Sequence, residues 1–184
     1  DQLEQQLLPE VGKAVALTIY NSQGRVLVIK RPDDEEWEPG KYSPPTGHIE
    51  KQDIQFLLEG LDVFPPSKEQ LYVIAGAREF REEVKREPSC IPSLRYVGRY
   101  HDDQTGYEVI VLAGVIIPSG SYVRTSFRKP KVYPSEEAAS VKWFTATGIR
   151  RLANQDKLAG FRTYEMVFKD DTTQRTLQGY TLAT

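Results

Sequence analysis

Ala77-Arg78-Glu79-Phe80-Arg81-Glu82-Glu83-Val84, taken with Pro45-Thr46-Gly47-His48-Ile49-Glu50 upstream, is the most informative part of this chain. On a helix, Glu79, Glu82 and Glu83 stand at i, i+3 and i+4, so their carboxylates share one face. Phe80 and Val84 mark a neighbouring apolar face, with Val73 and Ala77 in the same stripe. Like charges so placed repel by about a few tenths of a kcal/mol per pair. The cluster therefore wants a positive group over it. Arg81, Lys85 and Arg86 can serve as surface partners, and a solvated charged face is the ordinary reading of such a run. A hard divalent cation, which takes carboxylate and carbonyl oxygens, is the other reading. Context favours the cation: a Gly-bearing loop, an acidic helix and a Val141-Lys142-Trp143-Phe144 strand follow in that order.

Outward from the helix, Ser67 with Gln70 three residues later forms a capping-box pattern that starts it. Pro88 is the expected stop. Upstream, 13–20 and 25–31 read as strands joined by the turn residues Asn21-Ser22-Gln23-Gly24. Residues 32–44 are an acidic loop bearing Pro and Gly. Downstream, 94–101 and 107–117 read as a second hairpin, the latter strand nearly all apolar and so central. Residues 118–137 are a long loop carrying Arg124, Arg128, Lys129 and Lys131 among Tyr122, Phe127 and Tyr133. Loops of that length are usually functional or mobile. After the 141–145 strand come helices near 147–153 and 161–168, then a polar tail. Strands before, between and after a helix predict an α/β fold with a mixed sheet flanked by helices.

These residues resemble the Nudix hydrolase family. Its signature runs Gly, five residues, Glu, seven residues, Arg-Glu, a bulky apolar residue, any residue, Glu-Glu, any residue, Gly, bulky apolar. Arg78 to Glu83 match its core without a gap, and Pro45 to Glu50 are similar to the family's Pro-Gly-Gly-His-hydrophobic-Glu loop, with Thr46 for the first Gly. Ser140 to Thr145 is similar to the strand that follows the catalytic region, and the likeness spans roughly residues 13 to 152. Counting back seven residues from Arg78 places Gln70 at the first motif Glu. On that count 22 residues separate Gly47 from Gln70 where the signature has five, an insertion at about 51–66. Lys85 and Arg86 occupy the closing positions.

The resemblance implies an α/β/α sandwich. It implies Mg²⁺ or Mn²⁺ held by the Gly47 carbonyl, Glu79, Glu82 and Glu83, Arg78 buttressing those carboxylates, and Glu50 near the metal or its water. With Gln70 unable to act as base, the proton acceptor is a hydroxide at the metal, Glu83, or a loop carboxylate such as Glu137, beside Glu136 and just before the last strand. Arg31, Arg99, Arg124 and Arg128 are candidate phosphate contacts. The implied activity is hydrolysis of a pyrophosphate bond in a nucleoside diphosphate linked to another moiety. A catalytically weak, nucleotide-sensing domain is the alternative.

A length of 184 residues suits one domain, here 1–184. Hydrophobic content of 39% with 27% charge excludes a disordered chain, and a net charge of −2 argues against general affinity for nucleic acid or anionic membrane. The expected partner is a phosphorylated small molecule. The single cysteine, Cys90, excludes an internal disulfide and fits a reducing compartment. Residues 1–8 lack a signal peptide's basic start and apolar core, and the run 109–117 is too short to span a bilayer, so a cytoplasmic location is expected. In the insertion, Phe56, Leu57, Leu58, Leu61 and Phe64 are many large apolar groups for a soluble monomer to expose. A homodimer contact through this segment is the expectation, with a lid or core packing as the other outcomes.

Overall fold

The computed structural model describes residues 2–60, 66–86, 92–116, 132–134 and 140–182. Helix α1 (Gln2–Leu7) and a 3-10 turn lead into β1 (Ala14–Tyr20) and β2 (Val26–Lys30). The turn between these strands is built by Asn21, whose Oδ1 accepts the Gln23 and Arg25 N–H groups, and by Gly24 at φ +72°. Short strands β3 (Tyr42–Ser43) and β4 (Thr46–His48) precede α2 (Lys51–Gly60) and α3 (Lys68–Glu83). Then follow β5 (Val84–Arg86), β6 (Pro92–His101), β7 (Glu108–Ile116), β8 (Val132–Pro134), β9 (Ser140–Phe144), α4 (Ala146–Asn154), α5 (Phe161–Phe168) and α6 (Asp171–Leu182).

Seven described strands form one mixed sheet in the order β3-β2-β1-β7-β6, with β4 added to β1 and β9 to β2. Strands β1 and β7 run parallel; the other pairs are antiparallel. Alternation along β1 sends Val15, Leu17 and Ile19 into a core with Leu71, Ala75 and Phe80 of α3 and with Ile54 and Leu57 of α2. Ala14, Ala16 and Tyr20 turn to the opposite face, which Ile149, Leu152, Tyr164 and Val167 of α4 and α5 cover. Helices on both faces of a mixed sheet make the expected α/β sandwich. No described helix is long and apolar enough to cross a membrane.

Three local expectations need correction. Helix α3 ends at Glu83, not near Pro88: Val84 is extended, fully buried, and opens β5, which pairs with β8. Burying Val84 and pairing the following backbone outweigh the helical preference of the charged residues after it. The buried face of α3 is Leu71, Tyr72, Ala75, Gly76 and Phe80; Val73 and Ala77 are only half-buried. The polar tail folds as α6, whose first turn is fastened by the Thr173 N–H donating to Asp170 at 2.9 Å. In α2, Ile54 and Leu57 join the chain's own core while Phe56 is 65% exposed; Leu61 and Phe64 lie outside the described residues.

Candidate functional site

Helix α3 begins at the reciprocal cap expected from sequence: the Gln70 N–H donates to Ser67 Oγ and the Ser67 N–H to Gln70 Oε1. Gln70 is thus a helix cap, remote in role from the acidic cluster. Two turns on, Arg78 and Glu79 are buried, while Glu82 keeps 44% of its side chain exposed. Facing them is β4, held on β1 in the register Thr46↔Ala16, Gly47↔Val15 and His48↔Ala14.

Gly47 has no room for a side chain. A Cβ there would lie 1.8 Å from Cδ of Glu79, so only glycine lets loop and helix touch. The contact is hydrogen-bonded on both flanks. The Thr46 N–H donates to Glu83 Oε2 at 3.0 Å and the His48 N–H to Glu79 Oε1 at 3.2 Å. In return Arg78 Nη2 donates to the His48 carbonyl at 2.7 Å.

The guanidinium of Arg78 ties this junction together. Its Nε and Nη2 meet Oδ1 and Oδ2 of Asp53 at 2.8 and 3.0 Å, a bidentate pair with a carboxylate only 2% exposed. Its Nη1 donates to Glu79 Oε1 at 2.8 Å and Glu82 Oε2 at 3.0 Å, and Glu50 Oε1 stands 3.7 Å away. Hydrogen bonding to Asp53 first, and the charge of Glu79 and Asp53, push the Arg78 pKa up despite burial. Burial raises the Glu79 pKa, with Glu82 adding to it, against the lowering effect of Arg78 and the His48 N–H.

Asp53 is the residue that counting back from Arg78 overlooked. It lies six positions after Gly47, which keeps the signature's Gly, five residues, acid spacing. The additional chain falls after it: 24 residues separate Asp53 from Arg78 where the signature has seven. Counting forward from Gly47 instead of back from Arg78 would have found it. Its Oδ2 also accepts the Glu50 N–H at 2.8 Å, fixing the start of α2 to the same point.

Glu79, Glu82, Glu83 and the Gly47 backbone are therefore gathered in one place, an all-oxygen donor set whose chemistry fits a hard divalent cation. As placed, the carboxylates answer Arg78 and the β4 amides, and among the described residues no three acidic, histidine or cysteine side chains are arranged as metal ligands.

On the other side of β4 opens a cleft of about 870 Å³. Ala14 and Ala16 lie along its floor; Thr46, Gly47 and His48 form one wall, and Tyr100, Phe161 and Arg162 stand among its other lining groups. His48 belongs to both regions, its backbone bonded to α3 and its ring 4.8 Å from that of Tyr107. Arg31 lines the cleft, paired with Glu35 and 4.7 Å over the Trp37 ring. Glu50 sits beside Arg78 rather than in the cleft. Arg99 is also absent from the cleft lining: its guanidinium pairs with Glu108 at 3.0 Å, and the next residue, Tyr100, faces the cleft instead. The sequence reading missed Arg162, which lines the cleft 4.8 Å over the Tyr100 ring. Arg124, Arg128, Glu136 and Glu137 lie outside the described residues.

Solved structures share this architecture. A NUDIX hydrolase from Alicyclobacillus acidocaldarius matches with a TM-score of 0.55 at 14% identity, over 82% of this chain and 86% of that one. A Deinococcus radiodurans protein gives 0.52 at 18% identity, over 84% and 80%. A bifunctional NMN adenylyltransferase/ADP ribose pyrophosphatase from Francisella tularensis gives 0.52 at 13% identity, over 92% of this chain but 45% of that one; another structure of that protein is complexed with AMP and a manganese ion. At these identities the likeness is one of fold. No curated protein sequence matches significantly. The NUDIX domain pattern, however, matches residues 11–164, the span that contains the Gly47 loop, Asp53 and the acidic helix, and so the chain belongs to the NUDIX family.

Proposed function

We propose that this chain is a pyrophosphohydrolase that cleaves a nucleoside diphosphate linked to another moiety, with Mg²⁺ or Mn²⁺ held by Glu79, Glu82, Glu83 and the Gly47 carbonyl. Members of the family are in general metal-dependent pyrophosphohydrolases. The observation that carries the reading is the junction itself. A buried arginine and two backbone N–H groups hold three carboxylates against a glycine whose Cβ would collide with one of them. A fold has little reason to crowd three acids around one loop unless they work as a set.

The cation supplies charge neutralisation of the pyrophosphate and a lowered pKa for the attacking water. The rest falls to the protein. Arg78 orients Glu79 and Glu82, and Asp53 fixes Arg78. Water adds to one phosphorus, the bridging P–O bond breaks, and the proton that water loses passes to Glu83, which the Thr46 N–H keeps turned towards the loop. A nucleoside monophosphate and a second phosphorylated product leave. The cleft beside His48 takes the organic part of the substrate.

A panel of dinucleotides, nucleotide sugars and nucleoside triphosphates, assayed with Mg²⁺ and with Mn²⁺, tests the reading. Hydrolysis at the pyrophosphate of at least one diphosphate-linked compound, abolished by EDTA, is expected. Absence of turnover across the panel, with nucleotide binding retained, overturns it in favour of a nucleotide-sensing domain.

A further inference from the structure

Glu10 is 1% exposed, and a carboxylate so deeply buried needs partners that offset the loss of water. It has three. Lys13 Nζ donates to its Oε2 at 2.8 Å, the Tyr72 hydroxyl to the same oxygen at 2.9 Å, and Lys68 Nζ to its Oε1 at 2.7 Å. Lys68 and Tyr72 stand at i and i+4 on α3 and so share one face of the helix. Glu10 precedes residues 11–164, the span that the NUDIX pattern matches, so the family signature does not account for it.

The tie reaches the Gly47 loop through the backbone. The Lys13 N–H donates to the Glu10 carbonyl at 3.2 Å, closing a turn in which Gly12 adopts φ +89°. That turn grips Ile49 by both of its backbone groups. The Ile49 N–H donates to the Lys13 carbonyl and the Gly12 N–H to the Ile49 carbonyl, each at 2.9 Å. Ile49 directly follows β4 and is itself 1% exposed. Glu10 thus joins α3 to the exit of β4 through residues that include none of Glu79, Glu82 and Glu83.

That independence matters. The direct bonds from β4 to the helix, made by the Thr46 and His48 N–H groups, end on Glu83 and Glu79. Those are two of the carboxylates assigned to the cation, and a loop anchored by them alone would shift as they turned to it. Arg78, bonded to the His48 carbonyl and to Asp53, anchors the loop to the second half of α3. Glu10 anchors it to the first half.

We propose that Glu10 is a positioning residue for the carboxylate junction, fastening β4 to the first half of α3 so that Gly47 keeps its place while Glu79 and Glu83 answer a cation. This rests on the metal-dependent reading above and assigns a role in it to a residue bonded to none of the three carboxylates and absent from the cleft lining.

The test compares the parent with Glu10→Gln and with the milder Tyr72→Phe, which removes one of the three bonds and leaves the ring in the core. All are measured at a temperature where thermal melts show them fully folded, and Tyr72→Phe carries the test alone if Glu10→Gln does not fold. Amide exchange, followed by NMR without metal, is expected to quicken about tenfold at Thr46, His48 and Ile49 in Glu10→Gln, with Ile110 to Leu112 of β7 unchanged. Calorimetry should show Mn²⁺ binding weakened about tenfold, and Tyr72→Phe should move both readouts the same way by less. Glu108→Gln, which takes from Lys13 its other carboxylate at 3.3 Å and leaves Glu10 in place, should move neither. Exchange that rises equally in β7, exchange unchanged at residues 46–49, Mn²⁺ bound as tightly as by the parent, or the same changes in Glu108→Gln overturns the proposal. Failure of the hydrolase reading looks different: the parent binds no Mn²⁺ and cleaves nothing, yet the exchange pattern still marks Glu10 as the anchor of β4.

Discussion

The two faces of β1 make opposite use of the same strand. On the α3 side, Val15, Leu17 and Ile19 fill every space, and the helix comes so close that a Cβ on Gly76 would lie 2.5 Å from Leu112 and 3.0 Å from Leu17. On the other side, Ala14 and Ala16 occupy the matching positions, buried in the cluster under α4 and α5 yet bordering the cleft at its edge, and Tyr20 further along belongs to the same cluster. Side-chain size differs between the faces: three- and four-carbon side chains pack against α3 on one, and on the other the two residues beside the cleft carry only methyl groups. The carboxylate junction stands beside β4, which pairs with β1, meets α3 through Thr46, Gly47 and His48, and also lines the cleft.

The largest effect that sharpens this contrast lies at the junction. Glu82→Gln and Glu83→Gln should each lower kcat by roughly a hundredfold or more while the fold stays intact, because the lost charge acts on the reaction and not on packing. Steady-state kinetics with thermal melts check this; near-normal turnover in both variants would refute the assignment of these carboxylates. Arg78→Met should act on stability as well. It leaves Asp53 and Glu79 buried without their cation, a cost of about 3–5 kcal/mol measurable by urea unfolding. A loss under about 1 kcal/mol would mean the pair is surface-like.

A paired substitution probes the faces directly. Ala14→Leu should fill the cleft and raise KM at least tenfold, with the melting temperature within a few degrees of the parent. Gly76→Ala, a smaller change, should destabilise by about 1 kcal/mol, since overpacking a closed face outweighs the better helix propensity of alanine. If Ala14→Leu is the more destabilising of the two, the cleft is not the open volume described here.

The smallest effect is one of pH and belongs to the packed side. Glu10 is buried, which by itself would raise its pKa, but hydrogen bonds from Lys13, Lys68 and Tyr72 bring it down from the ordinary 4.5 to about 2. Its folded pKa lies below the unfolded one, so its contribution is complete above pH 4.5 and is lost as pH falls towards 2. Glu10→Gln should be less stable at neutral pH and show a shallower fall across that window in melts taken from pH 7 to 2.

What could be read without coordinates was local. The two hairpins, the Ser67–Gln70 cap, and the single face shared by Glu79, Glu82 and Glu83 all follow from side-chain periodicity or from hydrogen bonds a few residues apart. The Asp170–Thr173 cap was equally local, yet the polar tail hid α6 because its helix has no strong apolar stripe.

The amino-acid sequence by itself determined the strands, the start of α3, the carboxylate spacing, and Gly47 as the one small residue in its loop. Tertiary structure alone decided that Asp53 clamps Arg78, that α3 stops at Glu83 because Val84 is buried and the backbone pairs with β8, and that Tyr100 rather than Arg99 faces the cleft. Each of those joins residues distant in the chain or chooses between two sides of a strand. Periodicity shows that a strand has two sides, but which of them is covered depends on what folds over it.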